Sequence, residues 1–161
     1  MITAMICLVA LTLFGSEPAQ KAQPVEDVEK RHMRLISEFK AAVPDKDGRI
    51  TLTVPIDFVW YHGKYTVIEE RGVYSTAQRQ KNEQLLDRVA IQIADSVADR
   101  IKKIVGTTNL ETHFKGRTVT ATGARSSVFY TGFPAQWVYN VTVDRIEDIE
   151  VLPLPVDAPK K

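Results

Sequence analysis

Between residues 50 and 60 an apolar residue recurs at every second position. Ile50, Leu52, Val54, Ile56, Phe58 and Trp60 fall in one phase, and Thr51, Thr53, Pro55, Asp57 and Val59 in the other. Side chains of a strand point to opposite faces in turn, so this pattern predicts one long strand with an apolar face. Pro55 has no N–H to give to a ladder, which predicts an edge, a bulge or a bend at that point. His62-Gly63-Lys64 then supplies a tight turn into a second strand from Tyr65 to Arg71. Upstream, Val25, Val28, Leu35, Ile36, Phe39 and Val43 recur at helical spacing between Pro24 and Pro44, predicting an amphipathic helix. Asp45-Lys46-Asp47-Gly48 follows it as a turn, since the further ligands and the closing Glu of a calcium loop are missing.

Residues 85–105 fit two patterns. Leu85, Leu86, Val89, Ile93, Val97, Ile101, Ile104 and Val105 would line one long helix, yet Val89, Ile91 and Ile93 also alternate with Ala90 and Gln92. Asp95-Ser96 with Asp99 beyond them is a helix-start signature placed just after that alternation. The reading adopted is a strand at Arg88–Ile93 and a helix at Ser96–Val105, with the single helix as its rival. Further strands are expected at Arg117–Thr122, Trp137–Val143 and Ile149–Leu152. The polar stretch 72–84 is expected as a loop, and Pro153–Lys161, with three prolines, as a frayed tail.

Composition narrows the field. A chain of 161 residues, 44% hydrophobic and 25% charged, suits one domain with one core. A net charge of +1 excludes a global field of the kind that drives non-specific nucleic-acid binding. Residues Met1 to Phe14 are almost wholly apolar and run into Gly15-Ser16-Glu17-Pro18-Ala19, which predicts a signal peptide over 1–19, cut between Gly15 and Ala22, and an exported protein. That run is shorter than the roughly 20 residues of a membrane span, so none is expected in the mature chain. Cys7, the one cysteine, lies inside it, and no internal disulfide is expected.

Taken in order, the elements run strand, strand, strand, helix, strand, strand, which resembles the five-stranded OB-fold barrel. Phe114-Lys115-Gly116-Arg117-Thr118-Val119-Thr120-Ala121-Thr122-Gly123 is similar to the fourth strand of OB-fold nucleic-acid-binding-like domains. Val141 to Val151, ending Ile149-Glu150-Val151, looks like their closing strand, and the likeness is strongest over residues 88–152. It implies a mainly β Greek-key barrel over 46–152, with a helix between its third and fourth strands and an extra amino-terminal helix over 20–45. It also implies a binding role on variable loops and faces.

The stretch Ser126–Gln136, read as the loop between the last two long strands, carries Phe129, Tyr130 and Phe133, with Trp137 and Tyr139 behind it. Aromatic faces there could stack on bases or sugars, with Arg125 beside them. The competing reading has Phe129 and Phe133 pin the loop and Trp137 join the core. Lys64, Arg71, Arg79, Lys81, Arg88 and Arg125 could form a basic rim, although Glu69, Glu70, Glu83 and Asp87 interleave with them. The candidate ligand-binding set is therefore Lys64, Arg71, Arg88, Arg125, Tyr130 and Phe133, facing an oligonucleotide, a glycan or another small anionic ligand. The alternative is a protein partner docked on the amino-terminal helix. His32, His62 and His113 lack metal-ligand spacing, and no nucleophile elbow, P-loop or dinucleotide fingerprint occurs, so neither catalysis nor a cofactor is expected.

Overall fold

The computed structural model describes residues 27–70, 86–131 and 135–153. The expected signal peptide, Arg71, the stretch 72–84, Phe133 and all but the first residue of the expected tail lie outside them. In chain order the elements are α1 (Val28–Ala41), β1 (Arg49–Pro55), β2 (Phe58–His62), β3 (Tyr65–Glu70), β4 (Arg88–Ala94), α2 (Asp95–Val105), α3 (Leu110–Phe114), β5 (Thr118–Tyr130), β6 (Gln136–Val143) and β7 (Ile149–Val151). The protein is mainly β. Seven strands, where five were expected, form one sheet in the order β1-β5-β6-β4-β3-β2, with β7 paired to β5. Every ladder is antiparallel except β4 with β6.

The expected strand over 50–60 is two strands with a slip between them. Ile50, Leu52, Val54 and Ile56 are buried, but in β2 it is Val59 that joins the core, while Phe58 is exposed. The two core phases differ by one residue, which exchanges the faces. The cause is local: after Pro55 the backbone changes partners. The Ile56 N–H donates to the Arg117 carbonyl at 2.7 Å, whereas the Asp57 N–H donates to Glu69 on β3 at 3.0 Å.

The span 85–105 resolves as strand then helix. β4 pairs on both edges, with β3 and with β6, so each of its backbone groups finds a ladder partner, and Val89, Ile91 and Ile93 enter the core. In α2, Val97, Ala98 and Ile101 are buried, and Gly106 closes the helix in the left-handed region at φ 68°. The helix α1 starts on an Asp27 cap, whose carboxylate accepts from Glu29 N–H, and buries Leu35, Ile36 and Phe39 in the same core as the sheet. The short α3, not anticipated from the sequence, buries Leu110 and Phe114.

β5 runs well past Thr122. Within the stretch 126–136 expected as a loop, Ser126–Tyr130 is instead strand, paired from Ser126 opposite Asn140 to Tyr130 opposite Gln136. Val128, Phe129 and Tyr130 are good strand formers. At Gly123 β5 passes from its β1 partner to its β6 partner, since Ala124 is paired with both Arg49 and Thr142. A Cβ on Gly123 would run into the Thr142 carbonyl oxygen and lie 2.7 Å from its carbon, so the crossing requires glycine.

Candidate functional site: an aromatic β-arm

Beyond Ala124 the β1 ladder has ended and β5 pairs with β6 alone. Every residue from Arg125 to Tyr130 is exposed, on both faces of the arm. Four large apolar side chains stand in solvent there: Val128 at 44% exposure, Phe129 at 47%, Tyr130 at 49% and Trp137 at 41%. Isolated apolar side chains on a surface are ordinary, but a contiguous group of this kind marks a contact surface.

The two faces differ. Phe129 and Trp137 are cross-strand partners on the face that continues the core, with ring centroids 5.1 Å apart. Trp137 stacks on Tyr139 at 6.3 Å and 11°, and Tyr139 meets Phe39 of α1 at 5.1 Å. Four rings thus run from the buried interior out to solvent. Lys40 Nζ lies 5.2 Å over the Tyr139 ring, at the inner end of the row. Asp87 fixes the row from below: its Oδ1 accepts from the Trp137 N–H at 2.9 Å and its Oδ2 from the Tyr139 hydroxyl at 3.4 Å. The ladder, the inner rings and this carboxylate hold Trp137 in place.

On the opposite face Tyr130 and Val128 adjoin Gln136 and Val138, and Val138 is opposite Arg88. The Gln136 amide donates through Nε2 to the Leu86 carbonyl at 2.8 Å and accepts through Oε1 from Arg88 Nη2, and the Arg88 guanidinium lies 3.7 Å from the buried Glu69 carboxylate. Further along that face Val67, Glu69, Ala90 and Asn140 are buried, although they alternate with core residues. The middle of β3 and β4 is therefore covered, whereas Val128 and Tyr130 on the same face of the arm are exposed.

The predicted site is only partly brought together. Arg88 and Tyr130 share a face of the sheet. Arg125 lies on the other face, five positions along the strand from Tyr130, and is turned onto α1. Its guanidinium donates to the carbonyls of Ala42 at 3.2 Å and Lys40 at 3.4 Å and covers the Phe39 ring at 4.9 Å, so it clamps a helix end. Lys64 is exposed in the β2–β3 turn, beside Ala94, at the opposite end of β4 from Arg88. Arg71 and Phe133 lie outside the described residues, as do Arg79 and Lys81, and the described cations of the expected rim do not converge.

Comparison with known proteins finds no family model that matches this chain and no curated relative. The arm must be read on its own chemistry. Residues 126–143 contain no charged side chain, in a protein where one residue in four is charged. Phe129 and Trp137, weighed in the sequence as packing residues, are the exposed pair. The signal available for them was this uncharged run, together with the strand-favouring Val128, Phe129 and Tyr130 inside it.

Three other features have structural explanations. Glu70, fully buried, accepts from Arg31 at 3.2 Å through Oε1 and from His32 Nδ1 at 2.6 Å through Oε2, while Arg31 also reaches Asp57 at 3.1 Å. Both Glu70 oxygens are engaged, so the group fastens α1 to the sheet. Asp57, through Arg31, is part of this fastening. Among the described residues no three His, Cys, Asp or Glu side chains gather as a metal would need, and no helix is long and apolar enough to cross a membrane.

A small apolar cleft of about 170 Å³ lies between α2, α3 and β7, with His113 at its edge. Burial, and then the nearby Arg117 charge, hold the His113 imidazole below its usual pKa. The folded protein thus binds this proton less readily than the unfolded chain, and the contribution is present above the ordinary value of 6.5 and lost as pH falls through the lowered one. The melting temperature should therefore drop between pH 7 and pH 5, and His113→Phe should lessen that drop. An equal drop in both proteins would contradict the assignment.

Proposed function

We propose that this protein is an exported, non-enzymatic binding module of the OB type that holds a neutral, ring-bearing polymer, a glycan chain, against Phe129 and Trp137. One observation carries the reading: the exposed aromatic pair within a run, residues 126–143, that holds no charged side chain. A single-stranded nucleic acid would need Lys or Arg along its path to neutralise phosphates, and residues 126–143 supply none. A pyranose ring requires a flat apolar face and hydrogen-bonding neighbours, and Ser127 lies beside Phe129 and Trp137 on the same face of the arm.

The OB assignment draws support from the ends of the sheet. β1 and β2 are its two outermost strands, yet only Ile56 and Asp57 separate them in the chain. Counted as one bent stave, they turn the sheet into a five-stave cycle in the order first, fourth, fifth, third, second. The third and fifth staves are parallel, and α2 precedes the fourth. That is the OB order, and the bent first stave is the device by which such barrels close. The apolar run Met1–Phe14 supports export. The helix-docking alternative is weakened because Leu35, Ile36 and Phe39 are buried on the chain's own sheet.

Titration calorimetry against a panel of neutral oligosaccharides and single-stranded oligonucleotides tests the proposal. Phe129→Ala and Trp137→Ala should each weaken oligosaccharide binding about tenfold or more, about 1.4 kcal/mol. Lys64→Ala should leave it unchanged. Undiminished affinity in both aromatic variants, or binding to oligonucleotides alone, would refute it.

A further inference from the structure

The outer edge of the same arm has a second property. From Ser126 to Tyr130, β5 is bonded to β6 on one side, and among the described residues no strand lies on the other. A free strand edge presents a row of unpaired N–H and C=O groups, and proteins ordinarily blunt such edges with Lys, Pro, a bulge or a covering loop. Residues 126–130 hold no Lys, Pro or bulge, and among the described residues no strand covers them: Ser-Ser-Val-Phe-Tyr continues the ladder in regular register, exposed on both faces.

We infer that two copies of this chain associate through the β5 edge at Ser126–Tyr130, extending the sheet across a two-fold axis. The inference rests on the reading of the arm as the contact surface and names a partner for its edge. Charge decides the occupant. A charged strand docked there would place its ions beside Val128, Phe129 and Tyr130 with no counter-charge within residues 126–143, and the adjoining Arg125 and Arg88 are already turned onto α1 and Glu69. A second copy brings the same uncharged run. Antiparallel pairing about a two-fold axis normal to the sheet matches N–H with C=O and leaves like faces together. Phe129 and Trp137 of both copies then lie on one continuous face, so an extended polymer could engage two aromatic pairs at once and gain avidity.

Sedimentation equilibrium on the mature protein reads this directly. The wild type should show twice the mass of one chain, whereas Val128→Lys and Tyr130→Lys, each placing a charge at a half-exposed position, should show the mass of one chain with little change in melting temperature. Hydrogen exchange should find those amides of 126–130 that point away from β6 protected in the wild type and fast in both Lys variants. A single-chain mass for the wild type at submillimolar concentration, or a double mass that persists in both variants, would overturn the inference. A single-chain protein that still binds oligosaccharide defeats the dimer alone. A two-chain protein that binds none defeats the glycan reading alone.

Discussion

A Glu70→Ala protein is expected to unfold about 3 kcal/mol more easily than the wild type. The carboxylate is fully buried and receives both Arg31 and His32, so truncation leaves His32, itself 2% exposed, without its 2.6 Å partner. The loss exceeds that of one hydrogen bond because the groups left behind are already out of water. Arg31 keeps Asp57, which holds the figure below the upper range for broken buried pairs. Glu70→Gln, which retains the shape and one acceptor, should lose less. Urea unfolding of the three proteins measures the difference. A loss under about 1 kcal/mol for Glu70→Ala would show that α1 is held by Leu35, Ile36 and Phe39 without help from the ion pairs.

Gly123→Ala should be at least as damaging, about 3 kcal/mol or more, and in poor folding conditions should yield no native protein. The added methyl meets backbone, the Thr142 carbonyl on β6, and backbone cannot rotate aside as a side chain can. Separating the strands would disturb the β5–β6 ladder on which the arm depends. Gly63→Ala is the comparison: its φ of 59° makes a methyl strained, but the space around it is open, and about 1 kcal/mol is expected. Melting curves that rank the two substitutions in the opposite order would mean that β5 does not cross from β1 to β6 as described.

Much of the fold was legible in the chain because burial writes a period into sequence. Val89, Ile91 and Ile93 alternate toward the core, and the start signals after Ala94 separated strand from helix correctly. Period alone could not see the slip at Ile56–Asp57: Phe58 and Trp60 keep the apolar phase by composition while Val59 takes the core. Nor could it see that Ser126–Tyr130 is a strand, since the serines and aromatics that signal a loop also suit an arm exposed on both faces.

The candidate site was legible in outline. The chain marked the aromatic cluster, whose rings the structure exposes, but not where the nearby cations point, because a charge's partner is decided by tertiary packing. Arg125 was placed near a ligand and instead caps α1. His32 and Glu70, 38 positions apart, carry no mutual signal in one sequence. Asp87 was counted as a surface acid, yet it pins the Trp137 backbone.

The most direct test of the aromatic arm as binding surface is amide chemical-shift mapping of the isotopically labelled mature protein during titration with the neutral oligosaccharide panel. Saturable shifts confined to Val128–Tyr130 and Gln136–Tyr139 are the predicted result. Shifts centred on the Lys64 turn or on the cleft beside His113, or a panel in which no sugar moves the arm's amides, would contradict it.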